Sequence, residues 1–144
     1  MPLYGALDLH ANNTYAVVLD DQDRSLLDKR LPNRLDVILR ELEPYRTELA
    51  GVAVESTFNW YWLVDGLMDN GYCAKLVNTC AVKQYDGLKF TDDRHDARWL
   101  AHLQRLGILP TGYIYPKQDR PIRDLLRQRS SFVRRRTAHL LSLQ

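Results

Sequence analysis

Two short apolar runs near the N-terminus constrain the fold more than any other feature of the chain. They occupy residues 3–9 and 14–19, and the segment between them, residues 10–13 (HANN), is rich in turn-forming side chains. Apolar runs of this length on either side of a short polar turn predict a β-hairpin. After a second polar turn at residues 20–24, residues 25–31 form a candidate third strand.

The following segments alternate between helical and strand patterns. Apolar residues recur at helical spacing after Asn33, a candidate N-cap, and that helix is expected to end near Pro44. The later predicted elements are a strand at 51–55, a helix through residues 60–67 capped by Ser56 or Thr57 and stopped by Gly71, a strand at 72–78, a short helix or turn at 80–85, a helix opened by Asp92 or Asp93, a short extended piece at 112–115, and a last helix at 119–144. Strands that alternate with helices after a hairpin predict an α/β fold, a mixed sheet covered by helices.

Four acidic residues stand out against this background. Asp8 lies in an apolar strand, where a carboxylate is costly to bury, and Glu55 ends the strand at 51–55. Asp93 and Asp96 are three apart at a helix start, so they project from one face, while Asp92 is the better candidate for the cap. Since the ends of strands in open α/β sheets surround a ligand-binding crevice, all four acids are predicted to share one site.

Four carboxylates in one site repel one another unless a cation is present. Their oxygens suit Mg²⁺ or Mn²⁺, and two such ions can promote phosphoryl transfer on nucleic acid. Each acid also has a structural alternative, because Glu55 could cap the next helix and Asp93 and Asp96 could be solvated residues of a first turn. His10 is a weaker candidate for contacting phosphate, and His95 and His102 are expected at exposed helix positions.

Composition narrows the classes of protein. No apolar run reaches the roughly 18 residues that span a bilayer, so a cytoplasmic protein is expected. Cys73 and Cys80 lack metal-ligand spacing and are expected to be reduced thiols. The charge is asymmetric: residues 1–116 hold 12 Lys and Arg against 16 Asp and Glu, whereas residues 117–144 hold 8 against 2. This basic tail is suited to a polyanion such as nucleic acid.

The tail also predicts the domain organisation. We expect a catalytic domain at residues 1–115 and a basic helix at 116–144 that begins the linker of a longer protein. Leu126, Val133 and Leu140 are seven apart, a pattern that leaves open both a coiled coil and packing back onto the domain.

An ordered set of motifs resembles the N-terminal domain of the DEDD-type insertion-sequence transposases, relatives of the Piv invertases. The set consists of Asp8 in LYGALDLH, Glu55 in GVAVESTFNWYWLVDGL, the segment GYCAKLVNTCAVK at 71–83, and Lys89, Thr91, Asp93, Asp96 and Ala97 in KFTDDRHDARWLAHL. The resemblance covers residues 3–140. Thr79 replaces the family's usual proline, Phe58 replaces its usual glycine, and one extra residue lies between Lys89 and Asp93.

The resemblance implies a RuvC-like, ribonuclease-H-type fold in which Asp8, Glu55, Asp93 and Asp96 are catalytic Mg²⁺ ligands, with Mn²⁺ as a possible substitute. It implies DNA as the substrate, a later domain that contributes a serine to strand exchange, and assembly as a homodimer or higher oligomer. It further implies a structured guide RNA as a partner, with Arg134, Arg135 and Arg136 as candidate nucleic-acid contacts. The fragment alone is expected to be inactive in full strand exchange.

Three alternatives remain open at this stage. A stand-alone Holliday-junction resolvase shares the spacing of the acids. A sugar-kinase or actin-like ATPase also begins with an Asp-bearing hairpin, although the seven glycines here are too scattered for its second phosphate loop. The third is a non-catalytic nucleic-acid-binding or oligomerisation module in which the acids are structural.

Overall fold

The computed structural model describes residues 1–56, 59–88 and 93–143, with side chains described for 1–56, 59–85 and 96–143. In chain order the elements are β1 (Leu3–Leu9), β2 (Asn13–Leu19), β3 (Ser25–Pro32), α1 (Leu35–Leu42), β4 (Leu49–Glu55), α2 (Tyr61–Asp69), β5 (Ala74–Val77), α3 (Thr79–Val82), α4 (Asp93–Arg105) and α5 (Arg120–Ser142). Short 3-10 turns occupy Glu43–Tyr45 and Lys83–Leu88. The chain divides into two compact units, Met1–Gly112 and Tyr113–Gln144.

The first unit is built on one mixed five-stranded sheet of order β3-β2-β1-β4-β5. The β1–β2 and β2–β3 pairs are antiparallel, while β4 runs parallel to both β1 and β5. The predicted α/β fold with an N-terminal hairpin is therefore confirmed, and it is compatible with a ribonuclease-H-like fold. The strand β1 lies at the centre of the sheet, so both of its edges are hydrogen-bonded.

The two faces of the sheet are both covered. Ala6, Val17 and Ala53 share one face, where α4 packs on them through Ala97, Leu100 and Ala101. Leu7 and its neighbours on the other face alternate with that set and are also fully buried. The helices α1 and α2 carry the other large, fully buried helical side chains, Ile38, Leu42, Leu63 and Leu67, and we infer that they cover this second face.

Two helices end at a glycine, and the end of α2 at Gly71 is the one predicted from the sequence. Gly71 follows α2 and Gly107 follows α4, and both have a positive φ, 79° and 71°. After Gly71, the Tyr72 N–H donates to Leu67 O; after Gly107, the Ile108 N–H donates to Leu103 O. This is the Schellman arrangement, in which a left-handed residue lets the chain satisfy the last free carbonyls of the helix.

Two predicted N-caps were wrong. Arg34, not Asn33, is the N-cap of α1, because the Asn33 side chain is engaged elsewhere: it accepts from Thr14 Oγ1 at 2.7 Å and donates to His10 O at 2.7 Å. The N-cap of α2 is Trp60, not Ser56. The other predicted caps, Thr57 and Asp92, lie outside the described residues.

The last strand of the sheet is present but shorter than predicted, Ala74–Val77. Residues 112–115, predicted as a short extended piece, follow an isolated bridge between Thr111 and Val77 and belong to no strand of the sheet.

No helix in the described part of the chain is long and apolar enough to cross a membrane.

Truncation of a buried side chain in the central strand should lower the stability of the fold. Leu7→Ala removes a fully buried side chain from β1, and we expect the free energy of unfolding to fall by about 2–5 kcal/mol in urea titrations. Leu26→Ala, at a 45% exposed position on the edge strand β3, is the matched control and should change it by about 0.5 kcal/mol or less. Equal losses in the two variants would contradict the assignment of β1 as the core strand.

Candidate active site

Asp8 is the most deeply buried acid in the candidate site. It is the penultimate residue of β1 and only 2% exposed. Among the described residues, its hydrogen-bonding neighbour is His10, whose Nε2 lies 2.9 Å from Asp8 Oδ2. A buried carboxylate with so few donors is held in place by the strand rather than by a network of hydrogen bonds.

Glu55 lies beside Asp8 on the neighbouring strand. In the parallel pairing of β1 with β4, Leu7 pairs with Val54, so Asp8 and Glu55 are the next residues of the two strands. Adjacent strands are about 4.8 Å apart, and residues at equivalent positions point to the same face. That face is the one that carries Ala6 and Ala53, against which α4 packs.

The direction of α4 brings its N-terminal half toward these two acids. Near its C-terminus, the buried Gln104 donates from Nε2 to Gly51 O at 2.9 Å, which fixes that end of the helix at the start of β4. From Gly51 to Glu55 the strand rises about 13 Å, and from Gln104 back to Asp96 the helix rises about 12 Å. Asp96, which is partly buried, is thereby directed toward the end of the sheet that holds Asp8 and Glu55.

A second anchor holds the same end of α4. Asp23 lies in the β2–β3 turn with φ 62°, and its carboxylate lies 2.9 Å from His102 Nδ1. Arg105 donates to the same carboxylate from Nε at 2.8 Å and from Nη2 at 2.6 Å, and Arg98 donates to the Asp23 backbone oxygen at 2.6 Å. We call Asp23 with Arg98, His102 and Arg105 the α4 clasp.

The clasp sets the ionisation of Asp23. Partial burial alone would raise the pKa of this carboxyl, but the hydrogen bonds from His102 and Arg105 and their positive charge hold the pKa below its ordinary value. His102 also stacks on Trp99, with ring centroids 5.6 Å apart. The expectation that His102 is a simple exposed position was therefore wrong. Its partner lies 79 residues away in sequence, and no local pattern reveals such a contact.

Asp8 and Glu55 thus lie on the same face of the sheet, and Asp96 lies on the helix that packs on this face. Asp93 is the first residue of α4, but its side chain, like that of His95, lies outside the described residues. Among the side chains that are described, no three His, Cys, Asp or Glu residues are grouped so that they could hold a metal ion. The predicted nucleic-acid contacts Arg134, Arg135 and Arg136 are exposed on α5.

Comparison with models of known protein families identifies the family of the chain. A family model described as a transposase, that of the IS110-type DEDD transposases, matches residues 6–144. No curated protein matches the chain. The family match covers almost the whole sequence, including both compact units and all four candidate acids.

The clasp generates a prediction about acid stability. Because the folded-state pKa of Asp23 lies below its ordinary value of 3.8, the stability that this carboxylate contributes is present above that value and is lost as the pH falls through the folded-state pKa. Asp23→Asn keeps a residue that tolerates positive φ, and it should lower the free energy of unfolding by about 1–2 kcal/mol at pH 7.

The pH dependence distinguishes this effect from a general loss of packing. In urea titrations from pH 7 to pH 3, the difference between wild type and Asp23→Asn should shrink at the acid end. Asp36→Asn is the control, since Asp36 also pairs with an arginine but is 53% exposed, and it should lower the free energy of unfolding much less than Asp23→Asn does. A difference for Asp23→Asn that stays constant down to pH 3 would contradict the ion-pair explanation.

Proposed function

The chain belongs to the IS110-type DEDD transposase family, and on that premise we propose that its first unit is a metal-dependent catalytic domain acting on DNA phosphodiester bonds. The observation that carries the proposal is the register of β1 and β4, which puts Asp8 and Glu55 directly after the paired residues Leu7 and Val54, on the face of the sheet that α4 covers. Family membership favours a transposase over the resolvase and ATPase alternatives that the sequence leaves open.

Two of the candidate acids offer the ligands that a divalent cation prefers. Asp8 and Glu55 follow the paired residues Leu7 and Val54 on adjacent strands, so their side chains project from the same face of the sheet. A hard cation would offset the negative charge of both carboxylates, whose oxygens are its preferred ligands. Asp8, Glu55 and Asp96 would hold Mg²⁺ or Mn²⁺, and Asp93 at the start of α4 would complete the set.

When bound, such ions would stabilise the negative charge that develops on the attacking and leaving oxygens of the phosphodiester. The chain itself contributes rigidity. Asp8 is fixed by a strand that is hydrogen-bonded on both edges, and the α4 clasp together with Gln104 fixes the helix that carries Asp93 and Asp96. His10, 2.9 Å from Asp8 Oδ2, holds one carboxylate oxygen in a defined orientation. Preorganised charge of this kind lowers the cost of reorganisation during the reaction.

We extend the proposal to partners of the second unit. Its charge, 8 Lys and Arg against 2 Asp and Glu, supports contact with DNA or with a structured guide RNA through Arg134, Arg135 and Arg136. Val133, Leu140 and Leu141 leave large apolar surface exposed on the C-terminal half of α5, which supports assembly with a second copy through that half of the helix.

Metal binding can be tested on the 144-residue chain. Mn²⁺ or Mg²⁺ at about 100 times its dissociation constant should stabilise the fold by about 2.7 kcal/mol, measured as a rise in Tm. Glu55→Gln should remove most of this rise. Glu48→Gln is the matched control: Glu48 lies at the opposite end of β4, near the N-terminal amine, and its loss should leave the rise intact. Equal metal responses in the two variants would contradict the proposed site.

The catalytic role of Asp8 predicts a loss of activity. In a transposition assay with the element that encodes this chain, Asp8→Asn should reduce recombination more than about 100-fold, because it removes a charge from the proposed metal site without changing side-chain volume. The control Asp36→Asn, at an exposed position on α1, should recombine normally. Normal recombination by a folded Asp8→Asn protein in Mg²⁺ would falsify the assignment.

A further inference from the structure

The second unit contains an open groove of about 1250 Å³ that the catalytic proposal does not use. Two tyrosines, Tyr113 and Tyr115, form one wall, and the N-terminal half of α5 forms the other. The two rings meet edge to face with centroids 4.9 Å apart. Tyr113 is 68% exposed and Tyr115 37% exposed, so this aromatic pair faces solvent rather than a core. We call this feature the tyrosine groove.

Several contacts fix the tyrosine segment against the first turns of α5. Arg120 donates from Nε to Tyr115 O at 2.9 Å, and the Asp119 N–H donates to Pro116 O at 3.0 Å. The Arg123 guanidinium lies 4.9 Å from the centroid of the Tyr115 ring, within cation–π distance. Tyr115 is thus held by its backbone and its ring, and it supports Tyr113 at its edge. A rigid, exposed aromatic ring binds a flat ligand with little loss of side-chain entropy.

The helical wall of the groove carries a row of arginines beside the apolar side chains of Ile122 and Leu126. Arg123, Arg127 and Arg134 line it, against the single acid Asp119. From the first to the last of these arginines the helix rises about 16 Å, so the guanidinium groups form a row rather than a point. Within the described part of the chain, neither Arg127 nor Arg134 has an ion-pair partner. Ser130 and Ser131 add hydroxyl groups to the same wall.

A row of arginines beside an exposed aromatic ring is complementary to one class of ligand. Single-stranded nucleic acid presents phosphates at regular intervals and bases whose flat faces are free to stack. A base within a duplex already stacks on both faces and cannot reach a tyrosine ring without being displaced. An apolar partner helix would leave the arginines without counter-charges, and a small anion would not use the aromatic wall.

We propose that the tyrosine groove binds unpaired nucleotides, with a base stacked on Tyr113 and the strand's phosphates contacting Arg127 and Arg134. The inference deepens the proposed function by naming a site for the nucleic-acid partner, but it does not depend on the metal site. It also separates Arg134, which lines the groove, from Arg135 and Arg136, which do not. The ligand's shared chemistry is an unpaired strand, either of DNA or of RNA.

Fluorescence anisotropy with the 144-residue chain tests the site. The probes are a labelled 12-nucleotide DNA strand, the same sequence as RNA, its DNA duplex, and an abasic deoxyribose-phosphate strand of equal charge. The unpaired strands should bind more tightly than the duplex and the abasic strand. Tyr113→Ala should weaken binding of the unpaired strand about 5- to 150-fold, as expected for loss of one stacked base, while Tyr113→Phe should bind within about threefold of wild type.

Matched controls lie on the same helix outside the groove lining. Phe132→Ala removes another exposed aromatic ring, and it should leave the affinity within about threefold of wild type. Arg127→Gln should weaken binding and reduce the slope of log affinity against log salt by about 0.7, the value for one lost contact with a single-strand phosphate. Arg129→Gln is the control for the loss of one positive charge, and it should reduce the affinity and the slope less than Arg127→Gln does.

Each outcome decides the proposal. Loss of affinity in Tyr113→Ala for the unpaired strand but not for the abasic strand supports it, and the DNA and RNA arms identify the source of the strand. Equal binding of duplex and unpaired strand, or equal losses in Tyr113→Ala and Phe132→Ala, overturns it. The proposal is also overturned if Tyr113→Ala changes the oligomeric state in sedimentation but leaves the affinity for the unpaired strand unchanged. That result would mean that the groove binds a second copy of the chain. Circular dichroism verifies folding of each variant, and the Mn²⁺ response of Glu55→Gln reports separately on the catalytic proposal.

Discussion

The docking of α4 across the centre of the sheet is the constraint on which the rest of the first unit depends. Small residues, Ala97 and Ala101, let the helix approach closely over Ala6 and Ala53, and fully or largely buried apolar side chains fill the space around them. Polar anchors then select one position along the sheet. Gln104 bonds to Gly51 and the clasp bonds to Asp23, so the helix cannot slide by a turn without leaving buried polar groups unsatisfied.

This arrangement buries a charged group where the proposed chemistry would use it. Asp8 is only 2% exposed, and apolar packing on the same face of the sheet offsets the cost of its desolvation. In the proposed function a cation would offset the negative charge of Asp8 and Glu55, and the two adjacent strands would hold both carboxylates in position for it.

The sequence predicted the framework well because the framework is local. The β1–β2 hairpin follows from two apolar runs and a polar turn, and the end of α2 follows from Gly71. Asp8 is a candidate because acids rarely occur in buried strands, and its burial is confirmed. The failures involve long-range partners. Asn33 does not cap α1, because its side chain forms hydrogen bonds with Thr14 and His10 instead. The clasp joins Asp23 to residues about 80 positions away, where no spacing rule applies.

Charge is segregated between the two units, and in the proposed function each unit uses its own excess. Residues 1–112 hold 16 Asp and Glu against 12 Lys and Arg, and every arginine of the tyrosine groove lies in residues 113–144. A phosphate strand is repelled by carboxylates and is attracted by guanidinium groups, but over distances greater than about 8 Å salt screens both forces. If the basic residues were interleaved with the acids, they would form ion pairs with them and weaken both metal binding and strand binding. Carrying the arginines on a separate helix lets each set of charges keep the partner that its chemistry requires.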